Sequence, residues 1–514
     1  MLLTDHRRRN ADLCARRRPL RLESLEDRRM LATMVVTDLG DGSLAQLSGD
    51  GQLSLREAVE AINTGAPVDG IGPIAGTFGT DDTILFSTVQ FLGSPRTIQL
   101  AAGQLDLEQS VLISGPLGGL LTIDAQQNSR IFNIIETAGD VTFGEMTLTG
   151  GMTTGFGEQG GAIRSLAVNQ LTILNAVLED NATLGDFSTG GAVSTFGSLD
   201  VVDSTIQRNR TEGTGSVGGG VSAQLDVAVI RSTVADNRTE GDFASGGGIS
   251  AAGSVSLASS TVSGNRAEGA ASAGGGVLAA AGIELTESTV SGNQTTAIDA
   301  SGGGINAGGT INITRSTIFE NSALGTSATG GGINAVPIFI LGDGGETITT
   351  QPDITVTGSI IANNTAGASN ADIQPGSGTL TVDFSLVRDA VGLGIPAATN
   401  LLGIDPALGP LSGGGQTKTH APLPSSPVID AGDPALASPP PNDQRGVGFA
   451  RIANGGGGNV IDIGSHEVQD VQTSNFDGDG NIDGQDFLAW QRGFGAANAS
   501  ISDGDSDQDG DVDN

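Results

Sequence analysis

The residues whose types and spacing could do chemistry stand near the C-terminus, in a stretch crowded with aspartates. Residues 470–514 hold eleven acidic side chains and one arginine. Within "NFDGDGNIDGQDF" oxygen-bearing residues recur at alternate positions, and a glycine follows the third of them. Calcium prefers six to eight hard oxygen ligands, and this is the spacing of a twelve-residue calcium-binding loop. The stretch therefore predicts a Ca²⁺ site; the alternative is an acidic tail whose spacing is accidental.

The first loop is complete and has the ligand order of an EF-hand. Side-chain oxygens are expected at loop positions 1, 3, 5 and 12, and a backbone carbonyl at position 7. These residues are Asn475, Asp477, Asp479, Asp486 and, for the carbonyl, Asn481. Aspartate at position 12 reaches less far than the usual glutamate. The following "FLAWQRGFG" predicts a short helix.

A second loop begins at "DSDQDGDVDN" and keeps the same register. Its oxygen donors are Asp505, Asp507, Asp509 and Asp511. The sequence stops at Asn514, before position 12 and before a second helix. We therefore expect either a truncated sequence or a weakened second site, with tight calcium binding at the first loop alone.

A 28-residue period runs through the middle of the chain. A repeat of this length indicates stacked repeats. Apolar residues alternate inside each repeat and β-branched residues dominate, as strands require. We therefore predict an all-β fold, a right-handed parallel β-helix with three short strands per coil. The triple glycines begin at Gly218, Gly246, Gly274, Gly302 and Gly330, and the asparagines are Asn181, Asn209, Asn237, Asn265, Asn293 and Asn321.

Four apolar columns keep this period and are predicted to form the core. The asparagines are predicted to form a ladder at one corner, and the glycines to allow the bend at the next. The variable segments between them should project from one edge. The columns begin at Leu171, Ile173, Leu178 and Val221 and return every 28 residues.

Composition excludes several classes of protein. The formal net charge is −34 and Lys418 is the only lysine, which argues against a nucleic-acid partner. No run of about 18 apolar residues is present, so no transmembrane helix is predicted. Upstream of the repeats, "GDGQLSLREAVEAINTG" predicts a helix with Ser54 and Glu57 as a capping box. Such a helix would cover the open apolar end of a stack of coils.

Several motifs resemble known families. "GDGQLSLREAVEAIN" resembles the CSLREA motif of bacterial surface β-helix proteins, with Leu53 in place of the cysteine. "GGGQTKTHAPLPSSPVIDAGDP", "DQRGVGF" and "IDIGSHE" resemble the choice-of-anchor Q domain. "RRRPLRLESLEDRRMLA" is similar to the extracellular-protein motif of planctomycetes, and the acidic loops resemble a type I dockerin. These resemblances imply export to the cell surface or the extracellular space.

The sequence thus predicts five segments along the chain. They are a basic export-type segment (1–34), an N-terminal cap (35–82), the β-helix (83–390), a choice-of-anchor Q-like closing region (391–470) and a dockerin-like calcium-binding segment (471–514).

The leading functional hypothesis is an exported, non-catalytic protein that presents loops for adhesion or for binding carbohydrate or protein. The dockerin resemblance implies a cohesin-like or other cell-surface protein partner. The alternative is a polysaccharide lyase or glycoside hydrolase of the pectate-lyase-like β-helix type, which needs an acid cluster beside a basic residue or a carboxylate pair. No clear acid cluster accompanies the repeat arginines, and His420 and His466 are predicted to be structural. The arginines are Arg208, Arg210, Arg231, Arg238 and Arg266.

Overall fold

A computed structural model gives the fold. It describes residues 31–91, 94–335, 339–341, 347–349, 352–367, 371–413, 417–436, 438–452, 460–469 and 484–494. Four long parallel sheets stack coil upon coil along one axis. The predicted parallel β-helix is confirmed.

The chain visits the four sheets in a fixed order within each regular coil. Sheet 1 is followed by sheet 2, then by the two- to three-residue strands of sheets 3 and 4. Sheet 1 comprises Thr33–Val36, Asp82–Phe86, Val111–Ser114, Val141–Gly144, Leu171–Leu174, Leu199–Val202, Val227–Ile230, Val255–Ala258, Ile283–Thr286, Ile311–Thr314, Ile354–Thr357 and Leu380–Asp383. Sheet 2 comprises Arg96–Gln99, Leu121–Asp124, Met146–Thr149, Val177–Glu179, Thr205–Gln207, Thr233–Ala235, Thr261–Ser263, Thr289–Ser291, Thr317–Phe319, Ile360–Ala362, Leu386–Val387 and Leu401–Leu402.

The two remaining sheets have shorter strands. Sheet 3 comprises Met152–Thr153, Ala182–Thr183, Arg210–Thr211, Arg238–Thr239, Arg266–Ala267, Gln294–Thr295, Ser322–Ala323 and Thr365–Ala366. Sheet 4 comprises Leu105–Leu107, Phe132–Ile134, Ile163–Ser165, Val193–Thr195, Val221–Ala223, Ile249–Ala251, Val277–Ala279, Ile305–Ala307, Ile333–Ala335 and Ile373–Gln374. The expectation of three strands per coil was wrong, because the two-residue strand of sheet 3 is too short to show alternation in sequence.

The four apolar columns line the interior as predicted. Every regular coil places one residue of each column beside its equivalent in the next coil, and all are at most 2% exposed. Leu171 pairs with Leu199 in sheet 1, and Leu178 with Ile206 in sheet 2. Stacking identical positions buries a continuous apolar core that no single coil could form alone.

The asparagine ladder and the glycine bends are also confirmed. Each ladder Nδ2 donates to the Oδ1 of the asparagine in the next coil; the distance from Asn237 to Asn265 is 3.0 Å. The same oxygen accepts from the backbone N–H of the preceding asparagine, so the buried amides satisfy one another. The first glycine of each triplet is left-handed, with φ of +67° at Gly246.

Helices cover the N-terminal end of the stacked coils. The predicted cap is helix Leu55–Thr64, in which Ser54 and Glu57 form the capping box. A short helix, Leu44–Leu47, and a 3₁₀ turn, Thr88–Phe91, complete this end. Strands of the stacked sheets lie outside the predicted limits of 83 and 390, since Thr33–Val36 joins sheet 1 and Leu401–Leu402 joins sheet 2.

The closing region turns back along the outside of the β-helix. It contains the antiparallel hairpin Leu408–Gly413 with Lys418–Pro422. Thr261 Oγ1 donates to the carbonyl of Lys418 at 2.7 Å, and the N–H of Gly464 donates to the carbonyl of Gly358 at 2.9 Å. The region therefore lies over the outer face of sheet 2 across several coils.

Two further elements interrupt or follow the stack. An antiparallel hairpin, Phe339–Leu341 with Thr347–Thr349, lengthens one step of the asparagine ladder to 43 residues. Near the C-terminus, helix Gly484–Gly493 confirms the helix predicted after the first acidic loop. None of the helices among the described residues is long and apolar enough to cross a membrane.

Candidate functional site

The calcium site predicted from the sequence lies almost wholly outside the described residues. Asn475, Asp477, Asp479 and Asn481 are outside them, as are the four aspartates of the second loop. Asp486 is in helix Gly484–Gly493, but its side chain is not among those described. Among the described residues, no cluster of three or more His, Cys, Asp or Glu could hold a metal ion.

The variable segments form a ridge where the chain passes from sheet 3 to sheet 4. We call this the loop edge, residues 154–159, 184–189, 212–217, 240–245, 268–273 and 296–301. Backbone bonds hold each loop to the next: Phe187 N–H donates to the Thr214 carbonyl at 2.8 Å, and Gly215 N–H to the Asp242 carbonyl at 2.8 Å. Successive loops of the loop edge are therefore hydrogen-bonded in a regular register, like the strands of the sheets beside them.

Phenylalanines stand on this ridge in an unfavourable backbone conformation. Phe187 and Phe243 occupy the same turn position two coils apart, with φ of +55° and +59°. A bulky side chain at positive φ is a strained outlier, of order 1–3 kcal/mol. Both side chains are also mostly exposed, at 57% and 65%. Neither local backbone preference nor burial explains a phenylalanine here.

The Phe187 ring packs against the next coil. A Cβ on Gly215, one coil on, would come within 2.8 Å of Cδ1 and Cε1 of Phe187, so the ring lies against that glycine. The ring of Phe156 is 5.5 Å from that of Phe187, centroid to centroid. Phe156, Phe187 and Phe243, which we call the phenylalanine row, thus follow the helix axis.

Ion pairs flank the row on the strands that enter the loops. Arg210 Nε is 2.6 Å from Glu212 Oε1, and Arg238 Nε is 2.5 Å from Glu240 Oε1. Their side chains are a third to a half exposed. At such exposure these pairs contribute little stability, but they present donors and acceptors to solvent.

The other repeat arginines that form ion pairs do so across coils. Arg208 bonds both Asp180 and Glu179, and the bond to Asp180 is the largest of the contacts that raise the pKa of its guanidinium. Arg231 bonds the Asp203 carboxylate through two nitrogens, which likewise raises the pKa of Arg231. These acids are engaged in holding neighbouring coils together.

A cleft of about 550 Å³ lies between the corner of the β-helix and the closing region. Its acids are partnered: Asp443 lies 2.5 Å from Arg445, and Glu287 lies 3.2 Å from Arg315. Burial raises the pKa of Glu287. The remaining lining residues include Arg231, Ser259, Pro440, Pro441 and Val447. Each of these two acidic side chains is therefore paired with a nearby arginine.

His420 and His466 lie in the closing region; His420 bonds it to sheet 2, and His466 bonds within it. The ring of His420 is buried; its Nδ1 donates to the Gly409 carbonyl at 2.8 Å, and its Nε2 accepts from Ser291 Oγ at 2.7 Å. His466 Nδ1 lies 2.8 Å from Thr419 Oγ1. Burial lowers the pKa of both imidazoles, that of His466 to about 4 with help from Arg445.

Sequence reasoning missed a polar network on the first coils of sheet 4. Arg164 Nε donates to Asn133 Oδ1, and Asn133 Nδ2 donates to Asp106 Oδ1, each at 2.8 Å. Beside them Arg130 is buried and donates to Gln104 and to backbone carbonyls. Burial lowers its pKa to about 10. These coils do not keep the 28-residue period, so no column in the sequence aligned the residues.

Comparison with known proteins yields one fold likeness. No protein-family model matches the chain, and no curated protein matches it. A solved structure of the pectate lyase Pel9A is similar in fold, with 14% sequence identity and a TM-score of 0.41. The likeness covers 85% of this chain and 96% of that one.

Proposed function

We propose that this chain is an exported, non-catalytic binding protein whose β-helix presents the loop edge to a carbohydrate or protein ligand. The observation that carries the proposal is the pair Phe187 and Phe243, strained at positive φ and exposed. Strained residues that the fold does not need are concentrated at functional sites. Exposed aromatic side chains are the groups that binding surfaces favour.

The rigidity of the ridge supports this proposal. Backbone bonds fix each loop to its neighbour, and Asp242 Oδ1 also accepts from the Ala270 N–H at 2.9 Å. A surface ordered before binding loses less conformational entropy when a ligand arrives. The stacked coils therefore act as a rigid scaffold for the side chains at their edge.

The acidic C-terminal segment is proposed to bind calcium and to dock on a cohesin-like or other surface protein. Helix Gly484–Gly493 begins at position 10 of the first loop, where the exit helix of an EF-hand is expected. Trp490 of this helix lies 5.7 Å from Phe487 and 5.2 Å from Phe494, which follows the helix, between ring centroids. Phe487 and Phe494 are more than half exposed, which suits a partner surface.

The binding proposal is tested with the full chain on a panel of immobilised polysaccharides and extracellular proteins in the presence of calcium. We expect wild type to bind at least one probe, and the double variant Phe187→Asn with Phe243→Asn to lose that binding. Asparagine tolerates positive φ, so the loop geometry is kept. Equal binding by both proteins would contradict the role of the loop edge, and depolymerisation of any polysaccharide in the panel would contradict a non-catalytic protein.

Calcium binding is tested by titration calorimetry on the same chain. We expect one tight site that is lost when Asp477 and Asp486 are both changed to alanine. The oxygen donors of the second loop, Asp505, Asp507, Asp509 and Asp511, are unchanged in this variant, so any site that they form would remain. Two equivalent tight sites, or binding unaffected by the double substitution, would contradict the ligand assignment.

A further inference from the structure

We propose that the phenylalanine row binds an extended, neutral, β-1,4-linked glycan whose chain runs along the axis of the β-helix. This inference rests on the proposed binding function and adds the ligand class and its direction. The row consists of Phe156, Phe187 and Phe243 on successive or alternate coils of one edge.

The spacing of the rings points to a ligand with a repeat of two units. Phe187 and Phe243 hold the same turn position two coils apart, and coils stack about 4.8 Å apart, so equivalent atoms are separated by about 10 Å. In an extended β-1,4-linked chain each sugar is turned over relative to the one before it. The same apolar C–H face therefore returns at every second sugar, over about the same length. Aromatic faces pack well against such apolar faces.

The residue between the two rings fits the same pattern. Gly215 occupies the equivalent position on the intervening coil and carries no side chain. The ring of Phe187 lies over this glycine, so no other side chain at this turn position separates Phe187 from Phe243. Gly215 also seats the Phe187 ring and is a positioning residue, since any Cβ there would collide with Cδ1 and Cε1 of that ring.

The charges beside the row favour a neutral ligand. Asp186 and Asp242 are exposed at the turn position next to the rings, and the whole chain has a net charge of −34. Uronic acids or phosphates would meet like charge there. The paired Arg210–Glu212 and Arg238–Glu240 offer hydrogen-bond donors and acceptors to sugar hydroxyls without a large net charge.

An extended peptide fits the row less well. Its side chains return to one face every second residue, which is about 7 Å. That repeat does not match the separation of about 10 Å between equivalent rings two coils apart. The row therefore favours a carbohydrate over a peptide strand among linear ligands.

The test is titration calorimetry of the full chain with cellohexaose, cellobiose and hexagalacturonate. Because cellohexaose spans both rings, we expect it to bind at least about tenfold more tightly than cellobiose, a difference of the size that one aromatic contact supplies. Phe187→Asn and Phe243→Asn should each weaken cellohexaose binding about tenfold. Gly215→Ala, which keeps both rings but displaces one, should also weaken it.

The matched control is Leu225→Asn. Leu225 is an exposed apolar residue at the corner between sheets 4 and 1, and its substitution should leave cellohexaose binding unchanged.

Several results would overturn the inference. They are no binding of cellohexaose by wild type, tighter binding of hexagalacturonate, or an equal loss in Leu225→Asn. A wild-type dimer in sedimentation that Phe187→Asn dissociates would assign the row to a second copy of the chain instead. If the row variants lose binding to a protein probe but not to glycans, this inference fails while the proposed function stands. If they change binding to no probe, both fail.

Discussion

On sheet 2 the outward side chains Phe319, Ile360 and Leu386 are at most 3% exposed, because Val428 and Ile463 of the closing region pack over them. At the loop edge of the same β-helix, Phe187 and Phe243 are mostly exposed. One set of outward apolar side chains has a cover supplied by the chain itself, and the other has none among the described residues. The chain thus buries the outward apolar groups of this part of sheet 2, and the exposure of the phenylalanine row supports the proposed binding surface.

The cover on sheet 2 is more than apolar. Gln444 Nε2 donates to the Ser260 carbonyl at 3.1 Å, and Ser465 N–H donates to Thr317 Oγ1 at 3.1 Å. Thr289 Oγ1 also lies 2.9 Å from Ser465 Oγ. These buried polar groups of the two surfaces thus bond one another. At the loop edge, by contrast, Phe187 and Phe243 are mostly exposed.

The largest expected effect lies in the core that both regions share. Val262 is fully buried in the third column, so Val262→Asp would bury an unpaired carboxylate, at a cost of several kcal/mol. We expect the variant to lack the cooperative unfolding transition that wild type shows on heating, as measured by calorimetry. A protein as stable as wild type would mean that the column does not face the interior. Val168→Asp, at an exposed position, is the control.

The covered and the bare phenylalanines should differ most clearly in stability. Phe319→Ala removes a buried ring and should destabilise the chain by about 3–5 kcal/mol. Phe243→Ala removes an exposed ring and should change stability by about 0.5 kcal/mol or less. Denaturant unfolding followed by circular dichroism measures both. Similar losses for the two variants would remove the distinction between the covered and the bare patch.

Acidic solution should weaken the packing of the closing region on sheet 2 and should leave the phenylalanine row unaffected. The folded-state pKa of His466 is depressed to about 4 by burial and by Arg445, below the usual value of about 6.5. The folded state therefore favours the neutral ring, and its contribution to stability is complete above about pH 6.5 and is lost as the pH falls toward 4. Burial lowers the pKa of His420 as well.

The melting temperature at pH 7.5 and at pH 5.5 measures this effect. Wild type should melt lower at pH 5.5, and His466→Asn should show a smaller difference between the two values. Burial raises the pKa of Glu287 and Asp462, whose protonation favours the folded state and opposes the effect in more acidic solution. An unchanged pH dependence in His466→Asn would show that this histidine does not couple the closing region to pH.

The periodic part of the fold could be predicted from sequence because equivalent residues stack on one another. Leu171, Leu199 and Val227 are neighbours in sheet 1 and neighbours in the 28-residue alignment of the chain with itself. The short strand Arg210–Thr211 was missed, since two residues show no alternation. The turn of the closing region onto sheet 2 depends on contacts more than 100 residues apart, such as Ser291 with His420.

The sequence holds one signal for the cover. The outward positions of sheet 2 change from polar to apolar along the chain, from Thr205 and Gln207 to Phe319 and Ile360. An outward apolar patch on a sheet requires a cover or a ligand. The phenylalanine row gave no columnar signal, because its residues alternate with Gly215 and fall in segments whose sequence varies.

The proposed function implies that the phenylalanines of the loop edge are kept for binding at the expense of stability. It is tested most directly by measuring unfolding free energy and ligand binding on one protein, Phe187→Asn with Phe243→Asn. Asparagine relieves strain of order 1 kcal/mol per site at positive φ. The account predicts a variant at least as stable as wild type that no longer binds the glycan or protein probe. A variant that is several kcal/mol less stable and binds as wild type does would contradict it.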